Sequence, residues 1–261
     1  MPRLAANLAY LFTERPEIER FAAAAAAGFT AVELRFPYAL APSAVKAEVA
    51  RHGLTLLGIN IPPGRPSEFG VAAVPGRERE FAEHFHQALD YVTAIGGRSI
   101  HCLAGAVPPE QRPAAEATFI ANLTRAADEA AAKNIFLLIE PINPRDRPDY
   151  FLTRPEQAAD IIGKIGRPNV KIQFDFYHVQ IVGGDLIRRF EKHQPLVGHV
   201  QIAAVPSRAE PDEGEINYPA IFAALDKLGY QGFVAAEYTP RGRTEDGLAW
   251  ARPYGVVPRT A

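Results

Sequence analysis

The chain has 261 residues, 48% of them hydrophobic, and a formal net charge of −2 at pH 7. Nucleic-acid binders carry a basic patch or stripe, which this composition does not suggest, so we expect no nucleic-acid partner. The single cysteine, Cys102, excludes an intrachain disulfide and is typical of a reducing compartment, so we predict a cytoplasmic protein. The first residues lack a leader pattern, and no run approaches the ~18 apolar residues of a membrane span.

Short apolar runs alternate with helix-like segments along the whole chain. The predicted strands are Leu4–Leu8, Ala31–Arg35, Leu54–Asn60, Ser99–Leu103, the run within Ile135–Pro144 that ends at Glu140, Val170–Asp175, Val197–Ile202 and Phe233–Glu237. The predicted helices are Pro16–Gly28, Ser43–His52, Arg77–Ile95, Gln111–Lys133, Pro155–Ile165, Asp185–Lys192, Pro219–Leu228 and a last one that begins at Glu245. Alternating strands and helices indicate a parallel sheet.

Eight such units predict a single α/β domain over residues 1–261, folded as a (β/α)8 or TIM barrel. The first strand is not followed by a Gly-x-Gly-x-x-Gly turn, which argues against a doubly wound nucleotide-binding sheet. One connection is unusually long: residues Ile61–Gly76 contain four prolines and three glycines. Long loops in compact domains are usually functional or disordered, and we predict that this one is a lid over the site.

Polar residues end the last four predicted strands. They are Glu140, Asp175, Gln201 and Glu237. Burying an unpaired charge in a core is costly, and the carboxyl ends of barrel strands meet at one rim where active sites form. Three carboxylates brought together there would repel each other unless a cation neutralises them. An oxygen-rich set of ligands favours Mg²⁺ or Mn²⁺.

Two more residues near these strand ends are candidates for substrate binding. His178 follows Asp175 by three residues and could reach the pocket from the loop after strand six, as a substrate ligand or electrophile. Arg208 lies in a polar loop after strand seven and could grip a substrate carboxylate. The alternatives are a loop histidine bonded to a carbonyl and a solvated arginine. His199 is expected on the same face as Gln201, one layer deeper.

Several motifs give the chain a family resemblance. The most specific blocks are Leu138-Ile-Glu-Pro-Ile-Asn143, Lys171-Ile-Gln-Phe-Asp-Phe-Tyr-His178 and Gly214-Glu-Ile-Asn-Tyr218. With them the chain resembles the hydroxypyruvate isomerase family, within the xylose-isomerase-like barrel superfamily. The likeness runs from residue 3 to Tyr254. A sister activity, 2-oxo-tetronate isomerase, shares these motifs.

The resemblance implies acid–base roles for Glu140 and Glu237, and metal ligation by both of them together with Asp175 and Gln201. It implies an isomerase that interconverts hydroxypyruvate and 2-hydroxy-3-oxopropanoate (tartronate semialdehyde). The proton would move between C3 and C2 through an enediolate, assisted by the cation. The expected partner is a small 2-oxo or hydroxy acid, and an exposed apolar helix face could support a homo-oligomer.

Other functions stay open. A 2-oxo-tetronate isomerase would use the same residues. A ketose 3-epimerase shares the barrel, metal and glutamates, but related epimerases usually have histidine at the Gln201 position and bind neutral sugars. An enzyme similar to endonuclease IV would need extra histidines at the ends of strands three and four, where this chain has Asn60 and Cys102. A non-catalytic sugar-acid binding protein would need no pair of glutamates.

Overall fold

Parallel strands follow one another around a barrel in the computed structural model, which describes residues 1–259. The strands are β1 (Arg3–Asn7), β2 (Ala31–Glu33), β3 (Thr55–Leu56), β4 (Gly58–Asn60), β5 (Ser99–His101), β6 (Phe136–Ile139), β7 (Val170–Asp175), β8 (Val197–Ile202) and β9 (Phe233–Ala236). The predicted barrel is confirmed. The predicted domain also includes residues 260 and 261, which lie outside the described part.

Helices pack around the outside of the strands. They are α1 (Arg20–Ala27), α2 (Pro42–Arg51), α3 (Glu78–Ile95), α4 (Arg112–Ala131), α5 (Pro155–Ile165), α6 (Phe176–Val182), α7 (Leu186–His193) and α8 (Tyr218–Lys227), and a 3-10 helix covers Thr244–Tyr254. One apolar stripe of α3 is buried in full: Phe81, Phe85, Ala88, Leu89 and Val92. None of the helices within residues 1–259 is long and apolar enough to cross a membrane.

The third predicted strand is divided in two. β3 pairs with β2, and β4 pairs with β5. Leu57, between them, donates its N–H to Val32 at 2.9 Å and accepts from the N–H of Arg98 at 3.1 Å. Asn60 donates its N–H back to the carbonyl of Arg35 at 2.9 Å. The barrel therefore closes at this point, and eight predicted strands become nine because the third one is interrupted at Leu57 while it bonds to both neighbours.

A helix that the sequence analysis did not predict begins directly after β7. Phe176–Val182 forms α6, so the expectation that His178 lies in a loop is wrong. The Asp175 side chain accepts a hydrogen bond from the backbone N–H of Tyr177 at 2.8 Å and caps the helix. Such a cap satisfies an N–H that would otherwise lack a partner. The cap also fixes Asp175 and places His178 in the first turn of α6.

Strand register brings the polar strand ends side by side. Asn7 lies beside Glu33, and Asp175 lies beside Gln201. Glu140 and Glu237 come one residue after β6 and β9. Since neighbouring parallel strands end at the same edge, all of these side chains lie at one end of the barrel.

The long connection 61–76 lies at this same end. Phe69 lines the cavity that contains Glu140 and Glu237. Next to it, Gly70 has φ +96°, and a β-carbon on it would collide with Leu103. Glycine is needed here because the backbones approach so closely and φ is positive. The segment is thus pinned beside the cavity, and its role as a lid stays a prediction.

Candidate active site

All four predicted strand-end residues are buried at the carboxyl ends of their strands. Their exposed fractions are 5% for Glu140, 1% for Asp175, 2% for Gln201 and 8% for Glu237. They form two groups that differ in hydrogen bonding. We name Glu140, Asp175 and His178 the open cluster, because it contains oxygens without partners. We name Glu33, Asn7, His199 and Gln201 the bonded cluster.

The open cluster has two buried oxygens that accept no hydrogen bond from residues 1–259. They are Glu140 Oε1 and Asp175 Oδ2. His178 Nε2 lies 3.6 Å from each of them. Buried polar atoms in folded proteins nearly always have a partner, so this pair points to a missing ligand. The carboxylates of Glu140 and Asp175 could hold a metal ion beside His178, since the ligand atoms of the three side chains lie within 4.8 Å of one another.

Without a neighbouring cation, burial and mutual repulsion disfavour the ionised forms of the two carboxyl groups in the open cluster. Burial raises the pKa of Glu140 well above its usual range, and the neighbouring carboxylates of Glu237 and Asp175 raise it further. Burial, followed by repulsion from Glu237, raises the pKa of Asp175 to about 7. An opposite charge at this position would favour the ionised forms. The donor set therefore fits a divalent cation that prefers oxygen ligands.

Hydrogen bonding fixes the tautomer of His178. Asn143 Nδ2 lies 2.7 Å from His178 Nδ1, and Asn143 Oδ1 accepts the backbone N–H of Asp146 at 2.9 Å. The Asn143 amide therefore turns its N–H toward the ring, so Nδ1 accepts and the ring proton lies on Nε2. Burial and the nearby Arg208 lower the pKa of His178 well below its usual range, which keeps the ring neutral. His178 is thus an N–H donor to the cavity, as the predicted substrate contact requires.

Glu237 accepts hydrogen bonds from three side chains. Its Oε2 accepts from Arg208 Nη2 at 2.7 Å, and its Oε1 accepts from Asn7 at 3.0 Å and from Gln201 at 3.2 Å. Burial raises its pKa, and Arg208 opposes this rise. Arg208 also donates to Asp146 Oδ2 at 3.1 Å. The structure therefore places Arg208 in the cavity wall with two carboxylate partners.

The bonded cluster lies under Glu237. Glu33 Oε1 accepts from Asn7 Nδ2 and Gln201 Nε2, each at 2.7 Å. Glu33 Oε2 lies 2.5 Å from His199 Nε2. Burial by itself would raise the pKa of Glu33, but the bonds and charge from His199 lower it below its usual value. This buried carboxylate is therefore held as an anion without a metal.

Gln173 joins the two clusters, and the sequence analysis did not single it out. Its Nε2 donates to Glu140 Oε2 at 3.0 Å and to Gln201 Oε1 at 2.7 Å. A signal was present: Gln173 precedes Asp175 by two residues, and alternate strand residues share a face. The sequence analysis did not single out Glu33 either, although Glu33 ends β2 as Asp175 ends β7. His101 Nδ1, 3.5 Å from Glu140 Oε2, completes the surroundings.

A cavity of about 390 Å³ opens above the open cluster. Its walls include Tyr10, Arg35, Phe69, Arg147 and Arg208. The volume is at the lower end of the range for small-molecule sites. A larger groove of about 740 Å³ lies between α1, α2 and the C-terminal segment. There Glu245 and Glu48 form ion pairs with Arg15 and Arg51, and no cluster of carboxylates like the open cluster lies among the described residues of the groove, so we place the site in the smaller cavity.

The chain matches one family model over most of its length. Residues 21–254 match the model of the family described as "Xylose isomerase-like TIM barrel". The chain belongs to this family. A 2-oxo-tetronate isomerase of Cupriavidus necator is 46% identical over 97% of this chain and 99% of its own length. The hydroxypyruvate isomerase of Escherichia coli is 40% identical over 97% of this chain and 100% of its own.

Solved structures agree on the fold. A Brucella melitensis protein described as an AP endonuclease of family 2 has a TM-score of 0.96 and 47% identity, over 98% of this chain and 100% of its own. The 3-keto-D-glucoside 4-epimerase of Escherichia coli has a TM-score of 0.83 over 97% of this chain and 100% of its own. At 22% identity the second likeness shows the fold alone. With its full-length relatives named as isomerases, the protein is an isomerase of this family, and the predicted resemblance is confirmed.

Proposed function

We propose that the protein interconverts hydroxypyruvate and 2-hydroxy-3-oxopropanoate by moving a proton between C3 and C2. The observation that supports this most directly is the pair Glu140 and Glu237. Both are buried carboxylates with raised pKa values, and both line one small cavity from different strands. Perturbed carboxylates that face a shared pocket are typical of acid–base pairs.

Each glutamate suits proton transfer for a different reason. Glu140 has an oxygen without a partner, Oε1, which can take a proton from carbon. Glu237 is held in place by Arg208 and by two amides. In the proposed reaction one of them removes the C3 proton and the other returns a proton to C2. The proton of the C3 hydroxyl passes to the C2 oxygen as the enediolate becomes the aldehyde. His178 donates its Nε2–H to a substrate oxygen and so stabilises the charge that develops on the enediolate.

The open cluster also supports the proposed cofactor, Mg²⁺ or Mn²⁺. Asp175 would hold it through its free Oδ2, and Glu140 through the oxygen that does not take the substrate proton. Gln201 and Glu237 are the other proposed ligands. When bound, the cation would act as a Lewis acid on the substrate oxygens. Arg208, already paired with Glu237, would contact the substrate from the cavity wall. A cytoplasmic location fits the single cysteine, which is a buried free thiol.

A four-carbon substrate is the second candidate. The relative from Cupriavidus necator, at 46% identity, is named 2-oxo-tetronate isomerase. The two reactions share the same chemistry at C2 and C3, so the same glutamates would serve both.

The test is solvent deuterium incorporation, followed by NMR, on hydroxypyruvate, a 2-oxo-tetronate and a neutral ketohexose. We expect exchange and isomerisation with one or both acids, and none with the ketohexose. Isomerisation of the ketohexose alone would refute the proposal and favour a ketose epimerase.

A further inference from the structure

Two arginines in the cavity wall have no acidic partner among the described residues 1–259. Arg35 and Arg147 both line the cavity, and neither forms an ion pair with any carboxylate in residues 1–259. Arg35 is half-buried and Arg147 is exposed. Arg208, the third arginine of this wall, binds two carboxylates.

An aromatic ring holds both free arginines at the cavity mouth. The guanidinium carbon of Arg35 lies 5.0 Å from the centre of the Phe69 ring, and that of Arg147 lies 4.4 Å from it. Arg35 also lies 5.7 Å from the ring centre of Tyr10. Cations within about 6 Å of a ring centre are attracted to its face. Stacking of this kind fixes a guanidinium while it leaves the N–H groups at its edge free for an anion.

The charge pattern of the cavity favours one orientation of an acid. The inner end contains Glu140 and Glu237, and Asp175 lies against Glu140. Their three negative charges exceed the charge of one divalent cation, so they would repel a substrate carboxylate even with the cation bound. The mouth contains Arg35 and Arg147 with no negative partner. A short 2-oxo acid therefore fits with its reacting carbons inward and its carboxylate outward. A neutral ketose of the same length would gain nothing from the two arginines.

We propose that Arg35 and Arg147, held against Phe69, form the carboxylate subsite that makes this isomerase specific for short 2-oxo acids. The inference deepens the proposed function and rests on it for the identity of the substrate class. It differs from the role expected for Arg208, whose N–H groups are already engaged by Glu237 and Asp146.

The first experiment measures binding without turnover. Pyruvate has the carboxylate and the 2-oxo group but no C3 hydroxyl, and hydroxyacetone is a neutral ketone of similar size. The variants are Arg35→Met and Arg147→Met, with Arg145→Met as the matched control, since Arg145 is an exposed arginine of the same loop outside the cavity wall. Dissociation constants are measured by ligand-observed NMR in the presence of Mg²⁺.

We expect the dissociation constant of pyruvate to rise about 10- to 100-fold in Arg35→Met, as for the loss of a hydrogen bond to a charged group. Arg147→Met should give a smaller rise in the same direction. Arg145→Met should bind like the wild type, and hydroxyacetone should bind all variants alike. Equally weakened binding of pyruvate and hydroxyacetone would overturn the proposal, since it would indicate a structural role for the arginines. Unchanged pyruvate binding in both variants, or no binding to the wild type, would overturn it as well.

The second experiment separates this inference from the proposed function. In steady-state assays with hydroxypyruvate, Arg35→Met should raise KM more than it lowers kcat. Normal KM in Arg35→Met and Arg147→Met with an active wild type would refute the subsite and leave the function standing. If the wild type does not isomerise the acids, yet pyruvate binding still depends on the two arginines, the function falls and the subsite stands.

Discussion

The open and bonded clusters each bring a histidine to a buried carboxylate in the same barrel, yet the electrostatic states of these carboxylates are opposite. In the bonded cluster, both oxygens of Glu33 have partners, and the pKa of this carboxyl lies below its usual value. In the open cluster, Glu140 and Asp175 each keep an oxygen without a partner, and burial raises both pKa values.

The comparison shows that burial alone does not identify a functional carboxylate. Glu33 and Glu140 are equally inaccessible, with exposed fractions of 6% and 5%. They differ in whether the surrounding donors satisfy the charge. A satisfied anion contributes to a rigid wall, whereas an unsatisfied one has capacity for a cation or a proton. Gln173, which donates to Glu140 and to Gln201, is where the two clusters meet.

The largest effect is expected from variants that remove one member of the acid–base pair. Glu140→Gln and Glu237→Gln should each lower kcat by at least ~10²-fold, because they keep the size of the side chain but remove the base. Far-UV circular dichroism should show an intact fold. Deuterium exchange identifies the roles: if one variant still exchanges the C3 proton while isomerisation stops, its remaining glutamate is the C3 base. Normal isomerisation by both variants would refute the mechanism.

The next effect tests whether the bonded cluster supports the fold. Glu33→Leu removes the carboxylate partner of His199 and leaves Asn7 and Gln201 with Glu237 as their remaining acceptor. The variant should lower the free energy of unfolding by about 3–5 kcal/mol, as for a broken buried pair. Urea denaturation measures it. The wild type should also lose stability as the pH falls below about 4.5, because the folded pKa of Glu33 is lower than the unfolded one. A variant as stable as the wild type would contradict this role.

Removing a carboxylate from the open cluster should have the opposite effect on stability. Asp175→Asn removes one of the repelling charges, so the metal-free variant should be no less stable than the wild type. It should lose the stabilisation that Mg²⁺ or Mn²⁺ gives, which is about 2.7 kcal/mol at a hundredfold excess over Kd. Thermal unfolding with and without the ion measures this, and the exposed Asp160→Asn is the control. An equal metal-induced shift in Asp175→Asn would show that the ion binds elsewhere.

The smallest effect concerns Phe69. Phe69→Ala removes the ring that holds Arg35 and Arg147 and should raise KM about 2- to 5-fold, since a cation–π contact at an exposed site contributes about 0.5–1 kcal/mol. The value of kcat should change little. A loss of kcat as large as that of the glutamate variants would place Phe69 in the chemistry instead.

Most of the barrel could be predicted from the sequence because each strand–helix unit has a local signature. Buried apolar runs end at polar residues, and glycines such as Gly28 and Gly166 end helices in the left-handed conformation. The division of the third strand could not be predicted, since it depends on which neighbour each half pairs with. Helix α6 was missed because it follows Asp175 without a turn, and Asp175 is both strand end and cap.

For the site, the sequence indicates which residues lie at the carboxyl end of the barrel. It does not indicate which of their polar atoms lack a hydrogen-bond partner. The carboxylates at Glu140 and Glu237 follow from strand-end position. That Arg208 is bonded to Asp146 while Arg35 has no acidic partner depends on loop geometry, which has no local signal. The tautomer of His178 likewise depends on Asn143, 35 residues away in the chain.

The closure of the barrel at Leu57 affects where the backbone can open locally. Strand β3 has only two residues and β4 only three, so the regular ladders on this side of the barrel are short and are interrupted at Leu57. Short ladders open locally at lower free energy than long ones. Strand β4 ends at Asn60, which lines the cavity with Arg35. Amide exchange should therefore be faster at residues 55–60 than in β7 or β8, and the weakest part of the barrel wall lies beside the entrance to the site.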